Sequence, residues 1–203
     1  MSFLDEYIHS NWRQSAHNML ARLLEHECRP SKDPKSASAE GIDALLAQEQ
    51  ASIQRTFGDR AVVPCLPGDE IERQRAQRTR EQQQPSADAY VQWGHGEMAD
   101  KTVPLVLLEC KYRVQTENVN RNTRKVGALY GELCRKFNSS RKFLEGEGRI
   151  CRRHEVVVFN AAAVEDIRDA IESWCIGEGR SVFKVVDTEK LASSGLIGME
   201  VTS

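Results

Sequence analysis

The sequence predicts an α/β domain in which a mixed sheet is flanked by helices, with a helical extension at the N-terminus. Three observations predict it. Apolar residues recur every three to four positions over 39–57 and 118–144, as in amphipathic helices. The segment 88–93 alternates with the period of two that is typical of strands. The run 105–108 is apolar throughout, which indicates a strand that is covered on both faces.

The first 58 residues predict two helices separated by a linker. Residues 3–27 form one long amphipathic helix, whose apolar stripe consists of Leu4, Ile8, Trp12, Ala16, Leu20 and Leu23. The segment 29–38 is polar and contains two prolines. We therefore divide the chain into an N-terminal amphipathic helix over 1–30 and a main domain over 39–203. The second helix covers 39–57, and Glu49 lies on its apolar stripe.

The centre of the chain predicts a meander of three strands. AVVPCL at 61–66 is the first strand, 88–93 the second and 103–114 the third, with a glycine-containing turn over 94–101. Residues 67–87 carry only one large apolar residue, which indicates either an exposed helix or a mobile loop. The rest predicts a helix over 118–144, a strand over 155–159, a helix over 163–175, a strand over 181–186 and a short helix after Asp187.

Composition excludes several classes of protein. No apolar run approaches the roughly 20 residues that cross a bilayer, and MSFLDEYIHSNW is unlike a secretory signal. We therefore expect an intracellular protein, cytoplasmic or nuclear. Six cysteines are scattered without any C-x-x-C pair, so free thiols are expected rather than a disulfide framework or a zinc site. The net charge of −2 gives no global signature of nucleic-acid binding.

The residues that point to chemistry are Asp88, Glu109 and Lys111. Residues two apart on a strand project to the same side, so Glu109 and Lys111 share one face at the end of an apolar strand. Asp88 opens the preceding strand and is expected to approach Glu109 across the hairpin. Two converging carboxylates suit a hard divalent cation, and a lysine beside them suits the charge that develops during phosphodiester hydrolysis. The alternative is a structural salt bridge at the end of a strand.

The run Leu-Leu-Glu-Cys-Lys-Tyr-Arg at 107–113 resembles the core motif of the PD-(D/E)XK nuclease superfamily, which has the restriction-endonuclease-like fold. The resemblance implies a core of one helix, a three-stranded meander, a second helix and a further strand over 39–160. It further implies that Asp88 and Glu109 bind Mg²⁺ or Mn²⁺ together with the backbone carbonyl of Cys110, and that Lys111 is the catalytic lysine.

The same resemblance implies other site residues and leaves alternatives open. The acid of the first core helix is Glu49, with Glu40 as the alternative. The family's proline usually precedes its aspartate directly, whereas Pro85 lies three residues before Asp88 here, so Asp100 is an alternative aspartate. Tyr130 corresponds to the tyrosine or glutamine that some members carry on the second core helix.

The resemblance makes nucleic acid the expected partner, DNA in preference to RNA. Arg121, Arg124 and Lys125, at the start of the helix over 118–144, are expected to contact phosphates. Two other classes stay open: a catalytically inactive module of the same fold that binds nucleic acid or a protein, and a protein whose N-terminal helix forms a homodimer or binds a partner.

Overall fold

The computed structural model describes residues 2–11, 19–29, 37–58, 63–94, 96–116 and 123–197. Seven helices and five strands are described there. The helices are α1 (Phe3–Asn11), α2 (Met19–Glu27), α3 (Ala37–Phe57), α4 (Gly68–Thr79), α5 (Thr123–Gly146), α6 (Val164–Glu178) and α7 (Thr188–Ser193). The strands are β1 (Cys65–Pro67), β2 (Ala89–Gln92), β3 (Leu105–Lys111), β4 (Cys151–Phe159) and β5 (Lys184–Val186).

The five strands form one mixed sheet in the order β1-β2-β3-β4-β5. β1 pairs antiparallel with β2, and β2 pairs antiparallel with β3, as the predicted meander requires. β4 is parallel to β3 and β5 is parallel to β4, with α5 and α6 as the crossover helices. β3 is the central strand and is buried up to its last residue, which confirms the inference from its apolar run. The predicted α/β class is therefore confirmed.

Helices cover both faces of the sheet and enclose two apolar cores. The first core contains Tyr90 and Leu107 from the sheet and is covered by α1, α4, α5 and α6. The second core contains Val91 and Leu108, the neighbouring positions on the same strands, and is covered by α2, α3 and α7. Because alternate strand residues point to opposite faces, Glu109 and Lys111 share the face of Leu107.

The prediction of one apolar stripe over 3–27 is wrong. Leu4 and Ile8 on α1 are buried in the first core, whereas Leu20 and Leu24 on α2 are buried in the second. Residues 12–18, including the predicted stripe positions Trp12 and Ala16, lie outside the described residues. Helical periodicity shows which side of a helix is apolar but not which layer it covers. The apolar side of α1 is buried within this chain, so partner binding through that helix stays a prediction.

The segment 67–87 contains a partly buried helix, not an exposed helix or a loop. On α4, Ile71 and Glu72 are buried, and Glu72 pairs with Arg75 and accepts the Gln84 N–H at 2.7 Å. The polar composition of the segment does not show that Glu72 is buried, because burial is tolerated only through these partners. Gly68 begins α4, and its N–H donates to the Asp88 carbonyl at 2.9 Å. A Cβ on Gly68 would lie 2.0 Å from the Ala87 carbonyl oxygen, so only glycine allows this approach.

All six cysteines are free thiols, as predicted, and four of them are buried. Among the described residues, no helix combines the length and the apolar character that crossing a membrane requires.

Candidate active site

The register of β2 and β3 brings Asp88 and Glu109 together. Ala89 pairs with Leu108, so Asp88, immediately before β2, comes opposite Glu109. The Oδ2 atom of Asp88 accepts the backbone N–H of Cys110 at 2.7 Å, which fixes the carboxylate beyond the last paired residue of the hairpin. Glu109 is fully buried and Asp88 nearly so. Two carboxylates thus meet inside the protein at the end of its central strand.

Lys111 lies beside Glu109, as predicted from their spacing. Its Nζ is 3.0 Å from Glu109 Oε1 and 2.7 Å from Oε1 of Glu132 on α5. Glu132 is half exposed, whereas the Lys111 side chain is largely covered. Lys111 is therefore held between one carboxylate of its own strand and one of the crossover helix. The prediction that Glu109 and Lys111 project together is confirmed, and their catalytic roles stay predictions.

Lys136 on α5 is a second lysine in the site, and sequence reasoning missed it. Its Nζ lies 2.6 Å from Glu109 Oε1 and 3.2 Å from Asp88 Oδ1. One turn later, Ser140 Oγ accepts the Ala87 N–H at 2.8 Å and ties α5 to the residue before Asp88. Glu132, Lys136 and Ser140 are spaced by four, so they form one row along the helix. That row was the available signal, because it runs beside the apolar stripe of α5.

Five side chains form a row of alternating charges: Asp88, Lys136, Glu109, Lys111 and Glu132. Burial and the negative charge of Asp88 raise the pKa of Glu109 to about 7, against the opposing effect of the two ammonium groups. Burial by itself would lower the pKa of both lysines, but the carboxylates beside them outweigh it and hold each lysine pKa above its usual value. The hydrogen bond from Lys111 lowers the pKa of Glu132.

One oxygen of the site lacks a partner. Oε2 of Glu109 is buried and has no hydrogen bond to any group in the described part of the chain. A buried carboxylate oxygen without a partner is unfavourable, so the position suits a cation or a water molecule. Within the described ranges, no group of three or more His, Cys, Asp or Glu side chains is arranged around a metal position. The donor chemistry still fits Mg²⁺, which usually keeps several waters and takes one or two carboxylates from a protein.

Glu27 is the helix acid whose charge acts on Asp88, and it was not predicted. It ends α2, where burial raises the pKa of its carboxyl and the negative charge of Asp88 raises it further. Asp69, on the first turn of α4, hydrogen-bonds Ser86 and acts electrostatically on Glu27 and on Lys136. Glu27 follows Leu20 by seven positions and Leu23 by four, so helical spacing places it on the predicted stripe and was the available signal.

Glu49 is buried, as its position on the apolar stripe of its helix predicted, but the structure places it on the other side of the sheet. It belongs to α3, which covers the second core. Its two oxygens accept the Ala161 N–H at 2.7 Å and the Thr188 hydroxyl at 3.3 Å. These bonds tie α3 to the end of β4 and to α7. The geometry therefore gives Glu49 a structural role and does not bring it together with Glu109. The side chain of Glu40 lies outside the described residues.

The other predicted site residues are dispersed. Asp100 accepts the Thr102 N–H and hydroxyl, both at 2.8 Å, and is a turn residue. Tyr130 donates to the Ser181 carbonyl at 2.9 Å and packs on Trp174, so it is not part of the charged row.

Cys110 lies between Glu109 and Lys111. Its side chain packs in the second core, and its backbone N–H donates to Asp88.

Arg124 and Lys125 are exposed at the start of α5, and Arg121 lies outside the described residues. Arg124 and Lys136 are twelve positions apart on α5, which corresponds to about 18 Å along the helix.

Comparison with known proteins identifies no relative. No family model, no curated protein and no solved structure matches the chain. The resemblance to the PD-(D/E)XK superfamily therefore rests on the motif residues, and the geometry around Asp88 and Glu109 is the observation that bears on function.

Proposed function

We propose that this protein is a metal-dependent nuclease with a restriction-endonuclease-like core. One observation carries the proposal. Asp88 and Glu109, which are distant in sequence, both pair with the ammonium group of Lys136 at the end of the buried central strand. Lys111 lies 3.0 Å from Glu109. Burying these charges costs free energy that an apolar strand end would avoid. Their presence there therefore suggests a functional site.

The order of the strands supports the same proposal. An antiparallel meander, β1-β2-β3, is followed by the crossover helix α5 and by β4, which is parallel to β3. This order is the one that the resemblance implies, with α3 as the preceding helix. α4 is inserted between β1 and β2, and β5 extends the sheet at the other edge.

The site residues divide the chemistry among them. Asp88 and Glu109 would hold Mg²⁺ or Mn²⁺, and the carbonyl of Cys110 is the further candidate ligand. Such an ion, when bound, supplies positive charge to a phosphodiester and acidifies water. The ammonium of Lys111, oriented by Glu132, would meet the negative charge that develops on phosphate. Arg121, Arg124 and Lys125 would contact the nucleic-acid backbone further along.

A cleavage assay tests the proposal. Plasmid DNA, single-stranded DNA and RNA are each incubated with Mg²⁺, Mn²⁺ or a chelator. We expect metal-dependent cleavage, of DNA in preference to RNA, by the wild type and by Asp169→Asn, which changes an exposed aspartate on α6 in the same way. Asp88→Asn should lose cleavage, because a neutral amide is a poor ligand for a hard cation. Absence of cleavage by the wild type with every substrate and metal would contradict the proposal.

A second candidate function is a catalytically inactive module that binds nucleic acid or a protein. The observation that favours it is the pairing of both carboxylates with lysines, which satisfies most of their charge without a metal ion. A divalent ion that binds only the folded state raises the melting temperature, and an inactive module predicts no such shift. If cleavage is absent and both Asp88→Asn and Lys111→Ala are destabilised, the row of charges is structural.

A further inference from the structure

The ammonium group of Lys136 lies at the point where the two candidate metal ligands converge. Nζ is 2.6 Å from Glu109 Oε1 and 3.2 Å from Asp88 Oδ1, and these are its ion-pair partners among the described residues. The second oxygen of Glu109, Oε2, is buried and has no partner there. The site thus contains the ammonium groups of Lys136 and Lys111 at Oε1 of Glu109, and an unsatisfied carboxylate oxygen at Oε2.

We propose that Lys136 is a built-in counter-ion of this site, which must leave before Asp88 and Glu109 can bind a divalent cation. This inference rests on the proposed function, because it concerns the same two carboxylates. It adds a regulatory property: the cation-free site is closed by the protein's own lysine. Binding of the divalent cation is then an exchange, and its apparent affinity is reduced by the strength of the lysine pairs.

The packing indicates that the lysine moves and the carboxylates stay. Asp88 is held by the Cys110 N–H, and Glu109 belongs to the buried central strand. The side chain of Lys136 is 20% exposed, against 1% for that of Glu109, and its flexible four-carbon stem starts from a helix at the edge of the site. Of the two side chains, that of Lys136 is therefore the one that can swing toward solvent.

Lys111 differs from Lys136 in what holds it. Glu132, on the helix, binds Lys111 at 2.7 Å in addition to Glu109, so Lys111 keeps a partner when Glu109 is occupied. The two lysines therefore have different roles. Lys111 stays in place beside the site, and Lys136 exchanges with the incoming cation.

Metal binding without any substrate tests this inference. Free Mn²⁺ is measured by electron paramagnetic resonance during titration of the wild type, Lys136→Met and Lys142→Met. Methionine keeps an unbranched stem and removes the charge. Lys142 is an exposed lysine on the same helix, so its variant controls for the chemical change. We expect Lys136→Met to bind Mn²⁺ at least about tenfold more tightly than the wild type, because a competing charge in contact with the ligands has been removed. Lys142→Met should bind like the wild type.

The outcomes separate this inference from the proposed function. One outcome is that the wild type binds Mn²⁺ and folded Lys136→Met binds it equally well or more weakly. This result overturns the inference and leaves the metal-dependent nuclease standing. Binding by Lys136→Met alone supports the inference and contradicts an active wild-type site. Binding by neither protein overturns both.

Chemical labelling of the wild type keeps the inference testable if Lys136→Met does not fold. Lysines are acetylated with an activated ester, with and without Mn²⁺, and the rate at each residue is read by mass spectrometry. Saturating Mn²⁺ should accelerate acetylation of Lys136 severalfold and leave Lys142 unchanged. A Lys136 rate that is unchanged or lower overturns the inference.

Discussion

Replacing Glu109 by glutamine should remove a pH dependence of stability that comes from the buried carboxyl. Burial and Asp88 raise the pKa of Glu109 from 4.5 to about 7. Between these values the folded protein keeps a proton that the unfolded chain has released, so the free energy of unfolding falls as pH rises. Each pH unit corresponds to about 1.4 kcal/mol, which gives a loss of about 2–3 kcal/mol between pH 5 and pH 8.

The assay is urea unfolding in chelator at several pH values from 5 to 8, for the wild type and Glu109→Gln. The stability of the wild type relative to the variant should decrease by about 2–3 kcal/mol over this range. The ion pairs to both lysines form only when Glu109 is ionised, and their effect is already contained in the pKa of about 7. Changes in packing and hydrogen bonding that do not depend on ionisation are a constant offset, so the slope is diagnostic. Glu178→Gln, which changes an exposed glutamate, should show the wild-type slope. A constant difference between wild type and Glu109→Gln would refute the reasoning that burial outweighs the lysines.

Four further predictions concern catalysis, packing and nucleic-acid binding. Lys111→Ala should reduce cleavage about 10²–10³-fold while Mn²⁺ binding persists, and a variant that cleaves like the wild type would exclude the proposed role of Lys111. Gly68→Ala should destabilise the protein by about 1–3 kcal/mol in urea unfolding, because the new Cβ meets the Ala87 carbonyl at 2.0 Å. Gly131→Ala on α5, with nothing within 4 Å, should stabilise it by about 0.5–1 kcal/mol. Neutralising Arg124 and Lys125 should make the slope of log binding constant against log salt concentration shallower by about 0.9 for each lost phosphate contact. An unchanged slope would indicate that the interface lies elsewhere.

The hairpin that carries the site was predictable because its signals are local. The apolar run 105–108 predicts a central strand, the period of two predicts its partner, and together they place Asp88 opposite Glu109. Lys111 follows from the alternation of side chains along the same strand. These inferences need only the geometry of two neighbouring strands.

The helix residues of the site could not be assigned to it from the sequence, because helical periodicity shows which side of a helix faces inward but not which core that side enters. Glu49 and Glu27 both lie on apolar stripes, but Glu49 points into the second core, whereas Glu27 interacts electrostatically with Asp88. Lys136 and Glu132 reach the site only because α5 packs along β3 and β4 as a crossover helix. Such contacts depend on the layer that each helix covers, which the spacing of apolar residues does not encode.

Anomalous scattering from a crystal of the wild type grown with Mn²⁺ tests the central claim most directly. The claim is that Asp88 and Glu109 form a binding site for a divalent cation. It predicts an anomalous peak at about 2.0–2.6 Å from a carboxylate oxygen of each residue, the range in which divalent ions bind oxygen ligands. A map without a peak there, with the ammonium of Lys136 still between the two carboxylates at saturating Mn²⁺, would contradict it.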